Sequence, residues 1–136
     1  MSARAALPAF KGLFRNCRGA AAVEAALCLP VLMVALLGVI DFGRALWAQN
    51  ALHYSVEEAA RCGVVNAAST CNSPSATASF AAGRSGLPVA STVFTATPNS
   101  TCGSEAGYQV SASYALPLFT PLFPSITLQA QSCFPT

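Results

Sequence analysis

The sequence predicts an α+β fold, in which a long N-terminal helix is followed by a short helix and a small antiparallel sheet of about three strands. Three observations support this prediction. An apolar run over residues 20–40 leads into a pattern of 3.6-residue period that continues to Gly63. A cluster of serine and proline then precedes a second helical segment. The C-terminal third contains short segments in which polar and apolar residues alternate, as in half-buried strands.

The apolar run, AAAVEAALCLPVLMVALLGVI, contains Glu24 as its one charged residue. As a helix it would be about 31 Å long, which is sufficient to cross the roughly 30 Å hydrocarbon core of a bilayer. Four of the seven basic residues of the chain precede Gly19, and none of its five acidic residues does. This flank predicts a single-pass membrane protein with a cytoplasmic N-terminus and a C-terminal domain outside the cytoplasm. The alternative is a cleaved secretory signal peptide, which would release a soluble product.

Residues 41–63 are expected to continue the helix beyond the membrane as an amphipathic segment. The face predicted to be buried consists of Phe42, Ala45, Leu46, Gln49, Leu52, Val56, Ala59, Ala60 and Gly63. The opposite face carries Arg44, Ser55 and Glu58. Asp41 and Arg44 are spaced for an ion pair within the helix. Trp47 stands where an aromatic residue of the membrane interface, or of a contact with a neighbouring subunit, would lie.

Residues 64–136 are expected to form a small folded domain outside the cytoplasm. Its short helix should begin at a cap supplied by Ser73 or Ser75, on either side of Pro74, and should end near Gly86. This places the second helix directly after a polar loop.

The predicted strands follow this helix. Residues 89–97 are rich in β-branched residues and predict the first strand. The turn after it is predicted at Pro98, Asn99 and Gly103. Alternating side chains predict two more strands, at residues 108–114 and 126–131. The link between them, PLFTPLFP, is too rich in proline for a central strand and too apolar for a solvated loop. It should therefore lie under the sheet, near the membrane or against a partner.

Four of the six cysteines follow the apolar run, and they are Cys62, Cys71, Cys102 and Cys133. They include no CxxC motif and the chain has a single histidine, so a zinc site is not expected. Two disulfides in an oxidising compartment account for them better. If the last two strands form a hairpin, Cys102 and Cys133 meet at the same end of it, which leaves the other two cysteines to pair with each other. The alternative pairing joins Cys62 to Cys133 and Cys71 to Cys102.

The sequence shows no catalytic constellation, and neither an enzymatic activity nor a cofactor is expected. It contains no phosphate-binding loop, no dinucleotide fingerprint and no GxSxG motif. His53 and Glu57 share a helical face and could supply two metal ligands, but a lone histidine beside a carboxylate is more often a surface or packing residue. No interleaving of aromatic and basic residues follows the short basic segment, so nucleic-acid binding is not predicted.

The segment RGAAAVE, at residues 18–24, carries the main functional prediction. An ionised carboxylate in hydrocarbon costs several kcal/mol, so Glu24 is expected to have a functional partner. If the chain is cut between Gly19 and Ala20, the new α-amino group is a cation at the start of a helix. In an assembled bundle, Glu24 could pair with the amino terminus of an adjacent subunit, which would make the burial of both charges tolerable. Alternatively, Glu24 lies close enough to the cytoplasmic interface to remain hydrated.

The segment from Arg18 to about Arg61 resembles the N-terminal signature of TadE-like proteins, the minor pilins or pseudopilins of the tight-adherence (Tad/Flp) pilus system. The phrase IDFGR, from Ile40 to Arg44, is its most family-specific part. The C-terminal sequence YQVSASYALPLFTPLFPSITLQAQSCF is more loosely similar to the family, which often has two strands around a proline-rich apolar link. The sequence departs from the family at Ala25, because an aromatic residue often follows the family's glutamate.

The resemblance implies a pilin-like fold and a structural or assembly role in an adhesive pilus used for surface attachment and biofilm formation. It also implies that residues 1–19 are a leader removed by a membrane prepilin peptidase, which leaves Ala20 as the new N-terminus. The expected partners are the lipid bilayer, the peptidase and other Tad/Flp pilins and pseudopilins, in homo- or hetero-oligomers. The expected location is the bacterial inner membrane, or the cell exterior once the subunit is in a pilus. The alternative function is that of an uncleaved single-pass membrane protein whose outer domain binds a ligand or an envelope partner.

Overall fold

The computed structural model describes residues 17–119 and 125–136. Residues 1–16 of the predicted leader and residues 120–124 of the proline-rich link lie outside the described part. The main elements are α1 (Cys17–Val65), α2 (Pro74–Ser85), β1 (Phe94–Cys102), β2 (Glu105–Pro117) and β3 (Ser125–Pro135). One long helix, one short helix and three antiparallel strands confirm the predicted α+β class. The chain divides into two compact units, Met1–Gly38 and Val39–Thr136.

Helix α1 contains 49 residues, which corresponds to a length of about 74 Å. It ends at Val65, slightly beyond the predicted end at Gly63. In the first unit its side chains are exposed from Gly19 to Leu36, although most of them are apolar. A helix that is apolar on all sides requires a nonpolar environment around it, which in the described part of this unit the chain itself does not provide.

The second unit is built on a buried face of α1. The nearly inaccessible side chains of this face are Ala48, Leu52, Ser55, Val56, Ala59 and Ala60. The predicted face is wrong at its N-terminal end, because Phe42 and Leu46 are 66% and 51% exposed. Ser55, which was expected on the outer face, is buried, and its hydroxyl donates a hydrogen bond to the Leu52 carbonyl at 2.9 Å. The buried positions are spaced three and four residues apart, which brings Asp41 onto the same face.

Helix α2 begins at the cap predicted for it. The Ser73 hydroxyl accepts a hydrogen bond from the Ala76 N–H at 3.2 Å, and Pro74 occupies the first helical turn. Gly86 follows the helix with a φ of 63°, a left-handed conformation that glycine adopts without strain. Inside the unit, the Thr77 and Tyr108 hydroxyls lie 3.0 Å apart and join α2 to the sheet.

The sheet has the order β1-β2-β3, with all neighbours antiparallel. Its core side chains in β2 and β3 are Tyr108, Val110, Ala112, Leu116 and Ala130. The residues between them are more exposed, which confirms the alternation predicted for the last two strands. The buried face packs against α1, where the Tyr108 ring occupies the space beside Gly63. A Cβ at that glycine would come within 2.6 Å of the ring.

The start of β1 corrects the prediction for residues 89–97. The strand begins only at Phe94, because Ser91–Val93 form a short 3-10 turn. Residues 89–93 therefore serve as the connection from α2 to the sheet.

The end of β1 also differs from the prediction. Pro98 and Asn99, which were expected in a turn, lie within the strand. The strand accommodates them because its pairing with β2 is irregular between Thr97 and Ser100, where Asn99 has a φ of 54°. The actual turn contains Gly103, with a φ of 70°.

Candidate functional site

The predicted processing segment lies at the beginning of α1. The helix starts at Cys17, so that Gly19 and Ala20 are in its first turns, and both residues are exposed. Glu24 is also exposed, and it follows Ala20 by four residues, which places the two on one helical face about 6 Å apart along the axis. The one ion pair among the described residues is between Arg44 and Asp41. Glu24 therefore has no cationic partner within the described part of the chain.

One helix of the described chain is long and apolar enough to cross a membrane. Its most apolar 18-residue window has a mean hydropathy of 2.5, and none of that window is buried. This membrane-spanning character rests on the length and composition of the helix. The helix includes the span predicted at residues 20–40.

At the end of this run, Asp41 binds the link between β2 and β3. Its carboxylate is 5% exposed, and both carboxylate oxygens accept the Phe119 N–H at 3.0 Å. Phe119 is the last described residue before the gap in the link. Asp41 thus connects the first helical turn after the apolar run to a segment 78 residues further along the chain.

Arg44 reinforces this connection from the next turn of α1. Its Nη1 lies 3.2 Å from Asp41 Oδ1 and donates to the Pro117 carbonyl at 3.3 Å. Its guanidinium carbon is 4.3 Å from the centroid of the Phe119 ring, within the range of a cation–π contact. We call Asp41, Arg44, Pro117 and Phe119 the link clamp. Both of its charged members come from the phrase IDFGR.

Replacing Asp41 with alanine is expected to release Phe119 and to lower the free energy of unfolding by about 1 to 2 kcal/mol, since two partly buried donors lose a charged acceptor. Asp41→Asn keeps one acceptor oxygen and should lose less. The measurement is denaturant unfolding of the detergent-solubilised chain, followed by Trp47 fluorescence, together with the rate of chymotrypsin cleavage after Phe119. Glu57→Ala, at an exposed position of α1, is the control. Unchanged stability and cleavage in Asp41→Ala would contradict a structural role for the clamp.

The four cysteines after the apolar run form two disulfides in the structure. Cys62 is bonded to Cys71, with a Cα–Cα distance of 5.8 Å, and Cys102 to Cys133, with a distance of 5.7 Å. This is the first of the two pairings considered from the sequence. The Cys62 bond closes the loop between α1 and α2. Bonds of this type form in oxidising compartments.

The second disulfide crosses the sheet. Cys102 is in β1 and Cys133 is in β3, so the bond passes over the central strand β2. It passes at Gly107, where a Cβ would collide with Cys102 Sγ and with the Phe134 carbonyl oxygen. The absence of a side chain at Gly107 is therefore a geometric requirement of this bond.

Polar side chains in the described part of the second unit line a shallow depression of about 500 Å³. Its lining includes His53, Ser111, Ser113, Gln129 and Gln131. The His53 ring is hydrogen-bonded to the Gln49 amide at 2.9 Å, and that amide also donates to the Gln129 carbonyl. In residues 17–119 and 125–136, no three histidine, cysteine or acidic residues lie together as a metal site would require. Gln49 therefore connects α1 to the edge strand β3, and the His53 ring is a second hydrogen-bond partner of its amide.

These features define a class of protein: an α+β chain with one N-terminal helix of membrane-spanning character and a disulfide-bonded domain. Residues 19–61 match the family model of TadE-like proteins. The match confirms, over this segment, the resemblance identified in the sequence. The matched part lies entirely within α1 and includes Gly19, Glu24 and IDFGR. No curated protein and no solved structure matches the chain.

The structure brings some of the predicted site residues together and leaves others apart. Gly19, Ala20 and Glu24 share the start of α1, and the cysteines pair within the second unit. The structure confirms the predicted ion pair between Asp41 and Arg44. Sequence reasoning missed the contacts of this pair with Pro117 and Phe119, although an acid directly after an apolar span was a usable signal. An acidic residue at that place requires either water or a partner, and the non-proline residues of a link have backbone N–H groups that need an acceptor.

Proposed function

We propose that the chain is a structural or assembly subunit, a minor pilin or pseudopilin, of a Tad/Flp-type adhesive pilus that supports surface attachment. The observation that carries the proposal is the match of residues 19–61 to the TadE-like family. The matched segment begins at the proposed cleavage position. From Gly19 to Leu36 the helix exposes apolar side chains on all sides, as a subunit that passes from lipid into a helical bundle would require.

In this proposal a prepilin peptidase cuts between Gly19 and Ala20. Cleavage removes the basic leader and creates a positively charged α-amino group at the start of α1. Glu24 is then the fifth residue of the mature chain and pairs with the amino group of an adjacent subunit. The pair makes burial of both charges tolerable when helices pack against one another, because neither charge remains without a partner.

The proposed location is the bacterial inner membrane, with the N-terminus in the cytoplasm and the second unit in the periplasm, or the cell exterior after assembly. The positive flank ahead of Gly19 supports this orientation. The two disulfides support it as well, because structural disulfides persist mainly outside the cytoplasm.

A second candidate is an uncleaved single-pass membrane protein whose periplasmic domain binds an envelope partner or a ligand. The polar depression beside His53 favours this function, because it combines the hydroxyl groups of Ser111 and Ser113 with the amide groups of Gln129 and Gln131. It predicts an intact N-terminus and tolerance of substitutions at Glu24.

The first experiment is intact-mass measurement and N-terminal sequencing of the protein extracted from membranes of cells with an active prepilin peptidase. We expect a chain that begins at Ala20. Gly19→Val should block cleavage, since a branched side chain would stand at the bond to be cut. Gly38→Val is the matched control, because both glycines are in α1 and a Cβ at either meets nothing within 4 Å. A native chain that retains residues 1–19 would refute the pilus proposal, and a soluble product without the apolar run would support signal-peptidase release.

A further inference from the structure

Three aromatic side chains lie exposed at the level where the apolar run of α1 ends. Phe42 and Trp47 are 66% and 59% exposed on the helix, and Phe119 is 63% exposed on the link. Each is far more accessible than the aromatic residues of the core, since Phe94 and Tyr108 are 4% and 8% exposed. We call Phe42, Trp47 and Phe119 the aromatic belt.

The link clamp fixes the depth of Phe119. Its backbone N–H is held 3.0 Å from both oxygens of Asp41, the residue that directly follows the span at Ile40. The backbone of Phe119 therefore lies within one hydrogen bond of Asp41, at the level of α1 where the apolar run ends. The charged clamp residues satisfy one another there, which lowers the cost of placing them next to lipid.

The belt surrounds the helix instead of occupying one face. Phe42 and Trp47 are separated by five residues, which is about 140° around the axis at 3.6 residues per turn. Phe119 occupies the third side, because it is bonded to Asp41 and its ring lies over Arg44. A single protein partner would cover one side of such a ring of residues. A lipid layer surrounds a helix completely, and aromatic residues are enriched where a span meets the headgroups.

We infer that the aromatic belt lies in the headgroup region of the bilayer crossed by α1, and that the link clamp holds Phe119 at the membrane surface. The belt residues contact the phospholipid headgroups. This inference rests on the membrane anchoring included in the proposed function, and it does not depend on leader cleavage or on pilus assembly. The family-specific phrase IDFGR then has a physical role, since its two charged residues position Phe119 at the membrane surface.

Fluorescence quenching by brominated phospholipids tests the inference on the full chain in phosphatidylcholine and phosphatidylglycerol vesicles. Trp47 is the one tryptophan of the chain, so the unmodified protein supplies the first measurement. The second uses Phe119→Trp in a Trp47→Phe background. Both reporters should lose most of their emission to lipids brominated near the headgroup, and much less to lipids brominated near the chain ends.

Two matched single-tryptophan variants in the same background serve as controls. Leu36→Trp reports the span and should be quenched most by deep bromine, whereas Phe134→Trp, on the far end of β3, should not be quenched. If Leu36→Trp is quenched and Phe119→Trp is not, the belt inference is wrong and the anchoring stands. If neither is quenched, the anchoring itself is refuted. A Phe119→Trp reporter that resists both bromolipids and aqueous acrylamide is covered by protein, which also overturns the inference.

Discussion

Replacing Glu24 with alanine is expected to abolish incorporation into pili while leaving membrane insertion unchanged. The substitution removes a charge from the apolar run, so insertion should become no less favourable. It also removes the proposed partner of the α-amino group at Ala20. Each subunit would then have to bury an uncompensated ammonium group against its neighbour, at a cost of about 3 to 5 kcal/mol per contact. A cost of this size at the contact with the neighbouring subunit should largely prevent incorporation of the protein.

The measurement compares the amount of the protein in sheared pilus fractions with its amount in the membrane. Glu24→Gln retains the size and hydrogen bonding of the side chain without its charge, and its incorporation into pili should fail nearly as completely. Glu24→Asp keeps the charge and should be incorporated in part. Glu58→Ala, on the same helix beyond the span, is the control for a general effect of losing an acid. Normal pilus levels in Glu24→Ala, with cleavage at Gly19 intact, would show that the residue remains hydrated near the cytoplasmic interface.

The apolar helix illustrates what a sequence can predict and where it loses information. The length of α1 and the transition near residue 40 were evident from hydropathy. The orientation of the helix was not, because residues 42–52 offer apolar side chains on several faces. Phe42 and Leu46 are the larger apolar residues, yet the smaller Ala48 and Ala59 face the sheet. Small side chains allow the helix to approach its neighbours closely. Which face of the helix is buried therefore depends on the surface it packs against, which the sequence of the helix does not show.

Strand β1 demonstrates a second limit. Proline and asparagine usually mark turns, and Pro98 and Asn99 were expected there. An edge strand tolerates both, because its outer N–H groups have no partner to lose and an irregular pairing absorbs the positive φ of Asn99. Single-sequence patterns do not reveal which strand is at an edge. The alternation at Tyr108 and Val110 in the central strand was informative because that strand has one buried and one exposed face.

Gly19, Ala20 and Glu24 lie within six residues, so their proximity is readable in the sequence, and their role in processing and assembly stays a prediction. Contacts between residues far apart in the sequence were missed. The contact of Asp41 with Phe119 spans 78 residues and depends on the register of β2 along α1. The sequence left two disulfide pairings open for the same reason, since only the strand order places Cys102 opposite Cys133 across β2.

Gly107→Ala is expected to prevent the bond between Cys102 and Cys133. The added Cβ would occupy the path of Cys102 Sγ and would also stand 2.6 Å from the Phe134 carbonyl oxygen, a contact with backbone that cannot rotate away. Both strands are held in register with β2 on either side of this position, so the sheet has little room to adjust. Loss of a disulfide that closes a loop of 31 residues should lower the free energy of unfolding by about 3 to 4 kcal/mol in the chain-entropy model.

The test counts reactive thiols in the exported, denatured and unreduced chain with a mass-shifting maleimide. Gly107→Ala should show two more thiols than the parent, while the bond between Cys62 and Cys71 persists. Gly83→Ala is the matched control, because its Cβ meets nothing within 4 Å on α2, and it should keep every disulfide and stabilise the chain by about 0.4 to 1 kcal/mol. A fully oxidised Gly107→Ala protein that unfolds like the parent would mean that the cross-sheet bond has another path. If the thiols do appear, the bare backbone at Gly107 is what lets two non-adjacent strands be joined across a third.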